Sequence, residues 1–136
     1  MRILIAEDDF ASRKLLQAYL KRVKLTDVDM VIDGKEAIQA FELAWEENNP
    51  YKLVFLDIMM PNVDGQEALR SMREKEKQLG VKPADETIII MITALGDPTN
   101  VIQAYNRGGA TSYLVKPIEP EVVIKELKKY HIIPVT

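Results

Sequence analysis

The chain has 136 residues, a length that suits one ordinary domain, and we interpret residues 1–136 as a single domain. Its composition, 47% apolar and 29% charged, is typical of a soluble globular protein, and a net charge of −3 argues against direct binding of nucleic acid. The absence of cysteine excludes disulfides, thiolate metal sites and cysteine nucleophiles.

Apolar runs and amphipathic stretches alternate along the first third of the chain. The run Ile3–Ala6 predicts a first strand, and the pattern over Phe10–Val23 predicts a helix. The residues at inward spacing in this helix are Ala11, Leu15, Ala18, Tyr19 and Val23. A weaker strand is predicted at Val28–Ile32, and Asp33-Gly34 predicts a turn into a second helix. The inward residues of the second helix are Ala37, Ile38, Phe41, Ala44 and Trp45.

The middle of the chain repeats the pattern. The third strand, Leu53–Leu56, is entirely apolar and precedes a turn-rich loop at 61–65. The inward residues of the helix that follows are Ala68, Leu69 and Met72. The charged stretch between Glu74 and Glu86 is interpreted as the end of this helix and a solvated loop.

The last third of the chain completes the alternation. The β-branched run Thr87–Ile92 predicts a fourth strand, and Asp97 is a candidate cap for a helix over 98–107. The fifth strand is predicted at Ser112–Val115, and Pro120 begins the last helix. The inward residues of that helix are Val123, Leu127 and Tyr130.

Five strands that alternate with helices indicate a parallel sheet, because parallel neighbours need crossover connections. Apolar strands in the middle of the chain indicate that both faces of the sheet are covered, so we predict a doubly wound three-layer α/β sandwich. Neither a secretory signal nor an apolar run of membrane-spanning length is found in the sequence, and we therefore expect a cytoplasmic protein.

Polar residues follow or end several of the predicted strands. They are Glu7 and Asp8 after the first strand, Asp57 after the third, Thr93 at the fourth and Lys116 after the fifth. In an open parallel sheet these strand ends share one edge, which is where such folds bind ligands. Taken singly, the residues have ordinary explanations, such as a helix start for the acids or a solvated charge for the lysine. Their alignment at one edge favours a common site.

The chemistry of this group follows from its charge. Two carboxylates about 4 Å apart repel by roughly 4 kcal/mol at an effective dielectric near 20. Oxygen ligands without nearby histidine or cysteine favour Mg²⁺, which binds a few carboxylates together with water and a phosphate group. An aspartate can attack phosphorus, and a lysine and a hydroxyl can bind the phosphoryl oxygens. The sequence therefore indicates a magnesium-dependent phosphoryl-transfer site.

Four motifs occur in order at suitable spacing. They are Ile3-Leu4-Ile5-Ala6-Glu7-Asp8, Leu56-Asp57-Ile58-Met59-Met60-Pro61 with Asp64-Gly65, Thr93-Ala94, and Tyr113-Leu114-Val115-Lys116-Pro117. Together they resemble the bacterial response-regulator receiver domain over essentially the full length of the chain. The resemblance implies a flavodoxin-like fold with a sheet of order 2-1-3-4-5.

Carried over residue by residue, the resemblance assigns the acidic metal-binding pair to Glu7 and Asp8. It assigns the phospho-acceptor, which is also a metal ligand, to Asp57. The backbone carbonyl of Met59 is implied as a further ligand of Mg²⁺. Asp9 would lie in the loop without a role.

The resemblance also implies a set of residues that read the phosphorylated state. Thr93 is implied as the switch hydroxyl, Tyr113 as the rotating aromatic and Lys116 as the phosphate-binding lysine. The Lys116–Pro117 peptide bond is implied to be cis.

The function that the resemblance implies is that of a two-component response regulator. A sensor histidine kinase or a phosphotransfer protein would donate the phosphoryl group, and the only enzymatic activity would be autophosphorylation and self-dephosphorylation. Output would pass through a face at 98–130 to a downstream protein or to a second copy of the chain. Neither nucleic acid nor membrane is an expected direct partner. Whether the chain is a stand-alone regulator or part of a larger protein stays open.

Three other functions are less consistent with the sequence. A phosphatase of the haloacid dehalogenase type needs a second acid two residues after the nucleophile, where this chain has Met59. A flavin-nucleotide binder needs a phosphate loop after the first strand, where this chain has acids. A receiver that only acts as a scaffold would not need the full set of polar residues.

Overall fold

Five parallel strands form the central sheet of the computed structural model, which describes residues 1–94 and 109–135. The strands are β1 (Ile3–Ala6), β2 (Val28–Val31), β3 (Leu53–Asp57), β4 (Ile88–Thr93) and β5 (Ser112–Val115). Their order is β2-β1-β3-β4-β5, and every neighbouring pair is parallel. The predicted doubly wound sheet is confirmed.

Helices connect the strands and cover both faces of the sheet. Within the described ranges they are α1 (Phe10–Arg22), α2 (Gly34–Glu46), α3 (Gly65–Gln78) and α4 (Pro120–Lys129), with a short 3₁₀ turn at Pro83–Asp85. An aspartate precedes each of the first three helices and accepts a hydrogen bond from the backbone N–H three residues later. None of these helices has the length and apolar sequence needed to cross a membrane.

The sheet separates two apolar cores, because successive strand residues face opposite sides. α2 and α3 cover the first core, whose strand residues are Leu4, Ala6, Val54, Leu56, Ile89 and Met91. α1 and α4 cover the second core, whose strand residues are Ile3, Ile5, Leu53, Phe55, Ile90, Ile92 and Leu114. The predicted inward residues of the second, third and last helices lie in these cores or pack against them.

The predicted inward side of α1 is wrong at most positions. Ala11, Leu15 and Ala18 are exposed, whereas Leu16, Tyr19 and Leu20 are buried against the sheet and α4. α1 carries two apolar stripes at helical spacing, and periodicity alone does not say which of them meets the sheet. The helix also ends one residue early, because Val23 is its cap.

Four strand boundaries, in three strands, differ from the prediction by one residue. β2 ends at Val31, β3 includes Asp57, and β4 occupies Ile88–Thr93 instead of Thr87–Ile92. Thr87 lies outside the strand because its N–H donates to Glu76 Oε2 at 2.7 Å and its hydroxyl donates to the Tyr51 carbonyl at 2.8 Å.

The charged stretch from Glu74 to Glu86 contains the end of α3, as predicted, but it is not only solvated. Glu76 is buried, with 2% of its surface exposed, and pairs with Arg73 at 2.7 Å. Arg73 also donates to the carbonyls of Thr87 and Gly109, both at 2.9 Å. The stretch therefore anchors α3 to the residues before β4 and β5. The predicted helix over 98–107 lies outside the described residues.

Candidate functional site

The carboxyl ends of β1, β3 and β5 bring Glu7, Asp57 and Lys116 into direct contact. The Lys116 ammonium Nζ lies 2.7 Å from Glu7 Oε1 and 2.9 Å from Asp57 Oδ2. Both carboxylates are buried, with 1% and 3% exposure. By strand alternation, the three side chains lie toward the α1 and α4 side of the sheet. The predicted convergence of these three residues is confirmed.

Backbone groups fix the orientation of Asp57. The Met59 N–H donates to Asp57 Oδ1 at 2.9 Å, while the other carboxylate oxygen contacts Lys116. Gly65 packs so closely under the Asp57 carbonyl that a side chain there would overlap it. Within residues 1–94 and 109–135, the Met59 N–H is thus the donor to one Asp57 oxygen and the Lys116 ammonium is the donor to the other.

Asp8 completes an acidic cluster at this edge. One carboxylate oxygen from each of Glu7, Asp8 and Asp57 lies within 4.8 Å of the others. Asp8 is exposed, whereas Glu7 Oε2 is buried and has no hydrogen-bond partner within the described part of the chain. Three clustered hard oxygen donors, one of them unsatisfied, suit a divalent cation such as Mg²⁺. The residues present therefore fit a magnesium site.

The electrostatics of the cluster favour a bound cation. Burial and the neighbouring Asp57 carboxylate raise the pKa of Glu7 to about 8, although Lys116 acts to lower it. Burial acts to lower the pKa of Lys116, but its hydrogen bonds to Glu7 and Asp57 outweigh this and raise it. The raised pKa of Glu7 means that the site opposes a further negative charge, and the raised pKa of Lys116 means that it favours a cation. A divalent cation would remove that opposition by neutralising the carboxylates.

Arg13 and Asp9 shape the acidic loop in ways that the sequence prediction missed. Arg13 donates to the Glu7 carbonyl at 2.8 Å and to the Asp8 carbonyl at 3.1 Å. Asp9, which we expected to have no role, is the N-cap of α1, where its Oδ2 accepts from the Ser12 N–H at 3.0 Å. An aspartate directly before an amphipathic pattern is the signal that identifies such a cap.

Thr93 ends β4 at the same edge of the sheet, but within the described residues its side chain forms no hydrogen bond to Asp57 or Lys116. The hydroxyl is buried and points to the Ala94 carbonyl at 3.4 Å, while the Thr93 carbonyl accepts from the Lys116 N–H at 2.8 Å. By strand alternation, Thr93 lies on the opposite side of the sheet from Asp57.

Tyr113 and the peptide bond after Lys116 complete the set of predicted residues. Tyr113 is 39% exposed and pairs in register with Met91 of β4. Its neighbour Leu114 faces the second core, so Tyr113 faces the other side of the sheet. The Lys116–Pro117 bond is cis, as predicted.

The sequence model of the response regulator receiver domain family matches residues 3–128 of the chain. The chain belongs to this family. It is therefore a receiver domain of two-component signalling, and the predicted family and fold are confirmed.

Curated relatives contain similar receivers within longer proteins. The chain is 40% identical over 129 residues to the peroxide stress-activated histidine kinase Mak3 of Schizosaccharomyces pombe, covering 95% of the chain and 5% of that kinase. It is 36% identical over 126 residues to the transcriptional regulatory protein SrrA of Staphylococcus aureus, covering 93% of the chain and 46% of that regulator. The receiver thus spans less than half the length of either relative.

Solved receiver structures share the fold. The receiver domain of the sensor histidine kinase PA1611 from Pseudomonas aeruginosa, solved with magnesium in its active-site cleft, has a TM-score of 0.73 and 27% identity, covering 95% of each chain. The Saccharomyces cerevisiae Ssk1 receiver, solved with the histidine phosphotransfer protein Ypd1, has a TM-score of 0.80 and 26% identity, covering 96% of this chain and 88% of that receiver chain.

Proposed function

We propose that this receiver is a magnesium-dependent phospho-acceptor in which Asp57 takes a phosphoryl group from a phosphohistidine. The observation that carries the proposal is the placement of Asp57, which is buried beside two further acids and contacts Lys116 at 2.9 Å. Glu7, Asp8, Asp57 and the Met59 carbonyl would hold the ion. When bound, Mg²⁺ would supply positive charge to the transferring phosphoryl oxygens.

The transfer forms one bond and breaks one. An Asp57 carboxylate oxygen attacks phosphorus, the P–N bond to the donor histidine breaks, and the released imidazole takes up a proton. Lys116 is placed to stabilise the added charge, because its ammonium already contacts Asp57 Oδ2 at 2.9 Å. Met59 stands two residues after Asp57 and offers no acid for turnover of phosphomonoesters. We therefore propose that activity is confined to phosphorylation and dephosphorylation of the chain itself.

Exposed apolar side chains near the acidic residues favour a protein donor. Phe10, directly after the acidic loop, is 64% exposed, and Met59 is 65% exposed. Leu15, on the outer stripe of α1, is 45% exposed. Large apolar groups of this kind suit docking of a partner surface. Since the related Ssk1 receiver was solved with a phosphotransfer protein, we propose a kinase or phosphotransfer protein as the donor.

The proposed output runs from Thr93 to β5 and α4. Asp57 and Thr93 end neighbouring strands at the same edge of the sheet, so a phosphoryl group that extends past this edge would offer the Thr93 hydroxyl a stronger acceptor than the Ala94 carbonyl, which is 3.4 Å away. β4 and β5 are hydrogen-bonded neighbours, so a shift at Thr93 can be transmitted to Tyr113. Tyr113, Val115 and Val122 are exposed apolar residues on this part of the surface. We propose that a downstream protein or a second copy binds there, within the predicted face at 98–130.

The experiment that tests the acceptor is intact-mass spectrometry after incubation with acetyl phosphate and Mg²⁺. The wild-type chain is expected to gain one phosphoryl group, and Asp57→Asn is expected to gain none. Asp64→Asn is the matched control, because it changes a helix cap outside the cluster. Equal labelling of wild type and Asp57→Asn would show that the acceptor is another residue.

A further inference from the structure

The loop that joins β3 to α3, residues 58–64, is anchored at both ends. The Ile58 N–H donates to the Ile92 carbonyl at 3.0 Å, and the Gly65 N–H returns to the Ile58 carbonyl at 2.9 Å. Between these anchors, Asn62 Nδ2 donates to Asp33 Oδ2 at 2.9 Å. Asp33 directly precedes α2, so this bond joins the loop to a different connection of the fold.

A second contact lies beside this hydrogen bond. A side chain at Gly34 would overlap the carbonyl of Val63, so the first residue of α2 lies against the loop backbone. Asn62 adopts a φ of 66°, a left-handed conformation that asparagine tolerates better than most residues. We call the Asn62–Asp33 bond and the Gly34–Val63 contact the loop bracket.

The loop bracket matters because Met59 belongs to the same loop. The Met59 N–H orients Asp57, and its side chain is 65% exposed, so core packing does not hold this residue in place. The neighbouring Met60 side chain is buried and secures one point of the loop. The loop bracket secures a second point on the other side of Met60.

We propose that Asn62 and Asp33 are positioning residues that hold the Met59 peptide in register with Asp57. Within the described residues they form no hydrogen bond or ion pair with the acidic cluster, so they would act through the loop backbone. The proposal rests on the proposed function, because the Met59 carbonyl matters for Mg²⁺ only if the ion binds at Asp57. A partner group that orients a ligating residue typically affects metal affinity without supplying a ligand.

The two carboxylate oxygens of Asp33 accept different hydrogen bonds, so a variant can remove the bond to Asn62 and keep the helix cap. Oδ1 accepts from the Glu36 N–H at 2.8 Å and caps α2, while Oδ2 accepts from Asn62. Asp33→Ser retains an acceptor for the cap but removes the partner of Asn62. Asn62→Gly removes the side chain and still permits the positive φ. Asn48→Gly is the matched control, because Asn48 has a φ of 57° after the end of α2.

The first measurement is amide hydrogen exchange of the metal-free protein, which does not depend on phosphorylation. Asn62→Gly and Asp33→Ser are each expected to speed exchange at the Met59 amide, and the double variant is expected to add little to either. Asn48→Gly is expected to leave exchange at Met59 unchanged. Unchanged exchange at Met59 in Asn62→Gly would overturn the proposal.

The second measurement is the Mg²⁺ concentration that half-saturates the ion's effect on unfolding, measured without phosphodonor. We expect Asn62→Gly to raise this midpoint roughly threefold to tenfold. Loss of a side chain that directly orients a metal ligand typically weakens metal affinity by about 10-fold to 100-fold, and Asn62 acts less directly, through the loop backbone. A midpoint equal to that of Asn48→Gly would overturn the positioning role alone. A wild-type chain with no Mg²⁺ response would instead overturn the proposed function, and the positioning role with it.

Discussion

Neutralising Asp8 should stabilise the metal-free receiver. An Asp8 carboxylate oxygen lies within 4.8 Å of oxygens of Glu7 and Asp57. Within the described ranges, Lys116 forms ion pairs with Glu7 and Asp57 but not with Asp8. At 4.8 Å each repulsion is about 0.9 kcal/mol in a water-like dielectric and about 3.5 kcal/mol at an effective dielectric near 20. Because Asp8 is exposed, the lower value is the better guide for each pair. Neutralising Asp8 also removes the weaker attraction between Asp8 and Lys116, and this loss offsets part of the gain in stability.

We therefore expect Asp8→Asn to raise the free energy of unfolding by about 1–2 kcal/mol in EDTA at low salt and pH 9, above the pKa of about 8 that Glu7 has in the fold, where both neighbouring carboxylates are charged. For a domain of this size, the melting temperature should rise by roughly 3–10 °C. With Mg²⁺ the advantage of the variant should shrink, since ten times its Kd would add about 1.4 kcal/mol to the wild type. The variant should gain less, because it lacks one carboxylate ligand.

The assay is urea unfolding followed by fluorescence of the single tryptophan, with and without Mg²⁺. Asp9→Asn is the matched control, because it removes the same charge one residue along and retains a capping side chain. It should not stabilise the metal-free protein. If Asp8→Asn is no more stable than the wild type in EDTA, the cluster is not under the repulsion that we infer.

Two further predictions address the hydrogen bonds of Glu76 and the output path. Glu76→Ala should lower the free energy of unfolding by roughly 3 kcal/mol, because it removes a buried acceptor from Arg73 and Thr87. Urea unfolding measures this, with Glu74→Ala as the control at an exposed position, and equal effects of the two variants would contradict the prediction. Thr93→Ala should still gain one phosphoryl group by mass spectrometry but should lose the change in amide exchange at 112–130 that a beryllofluoride phosphate mimic produces in the wild type. Retention of that change would show that the signal bypasses Thr93.

The sheet and the core of the site could be predicted because they follow from local pattern. Strand ends in a parallel sheet meet at one edge whatever the helices do, so Glu7, Asp57 and Lys116 could be placed together from their positions alone. The strand order came from the family resemblance. Side-chain distances required the structure, because they depend on how each side chain crosses the edge.

The errors arose where pattern is ambiguous or where a contact spans long sequence separations. The inner stripe of α1 could not be chosen because Leu15 and Leu16 both continue a helical apolar pattern. The burial of Glu76 was not predicted, since its partner Thr87 is eleven residues away and charged residues are normally exposed. The bond between Asn62 and Asp33 spans 29 residues and leaves no local signal beyond an asparagine in a turn.

Because successive strand residues face opposite sides of the sheet, the site is more sensitive to a change in strand length than to a substitution within a strand. Glu7, Asp57 and Lys116 share one face at their strand ends, whereas Thr93 belongs to the other. One inserted residue within Leu53–Leu56 would turn the following side chain to the opposite layer, which no conservative substitution does. Residues inserted in the surface segment at 77–83 would lie before β4 and would leave the alternation within every strand unchanged. Related chains that keep this chemistry are therefore expected to differ in length between α3 and β4 but not within β3.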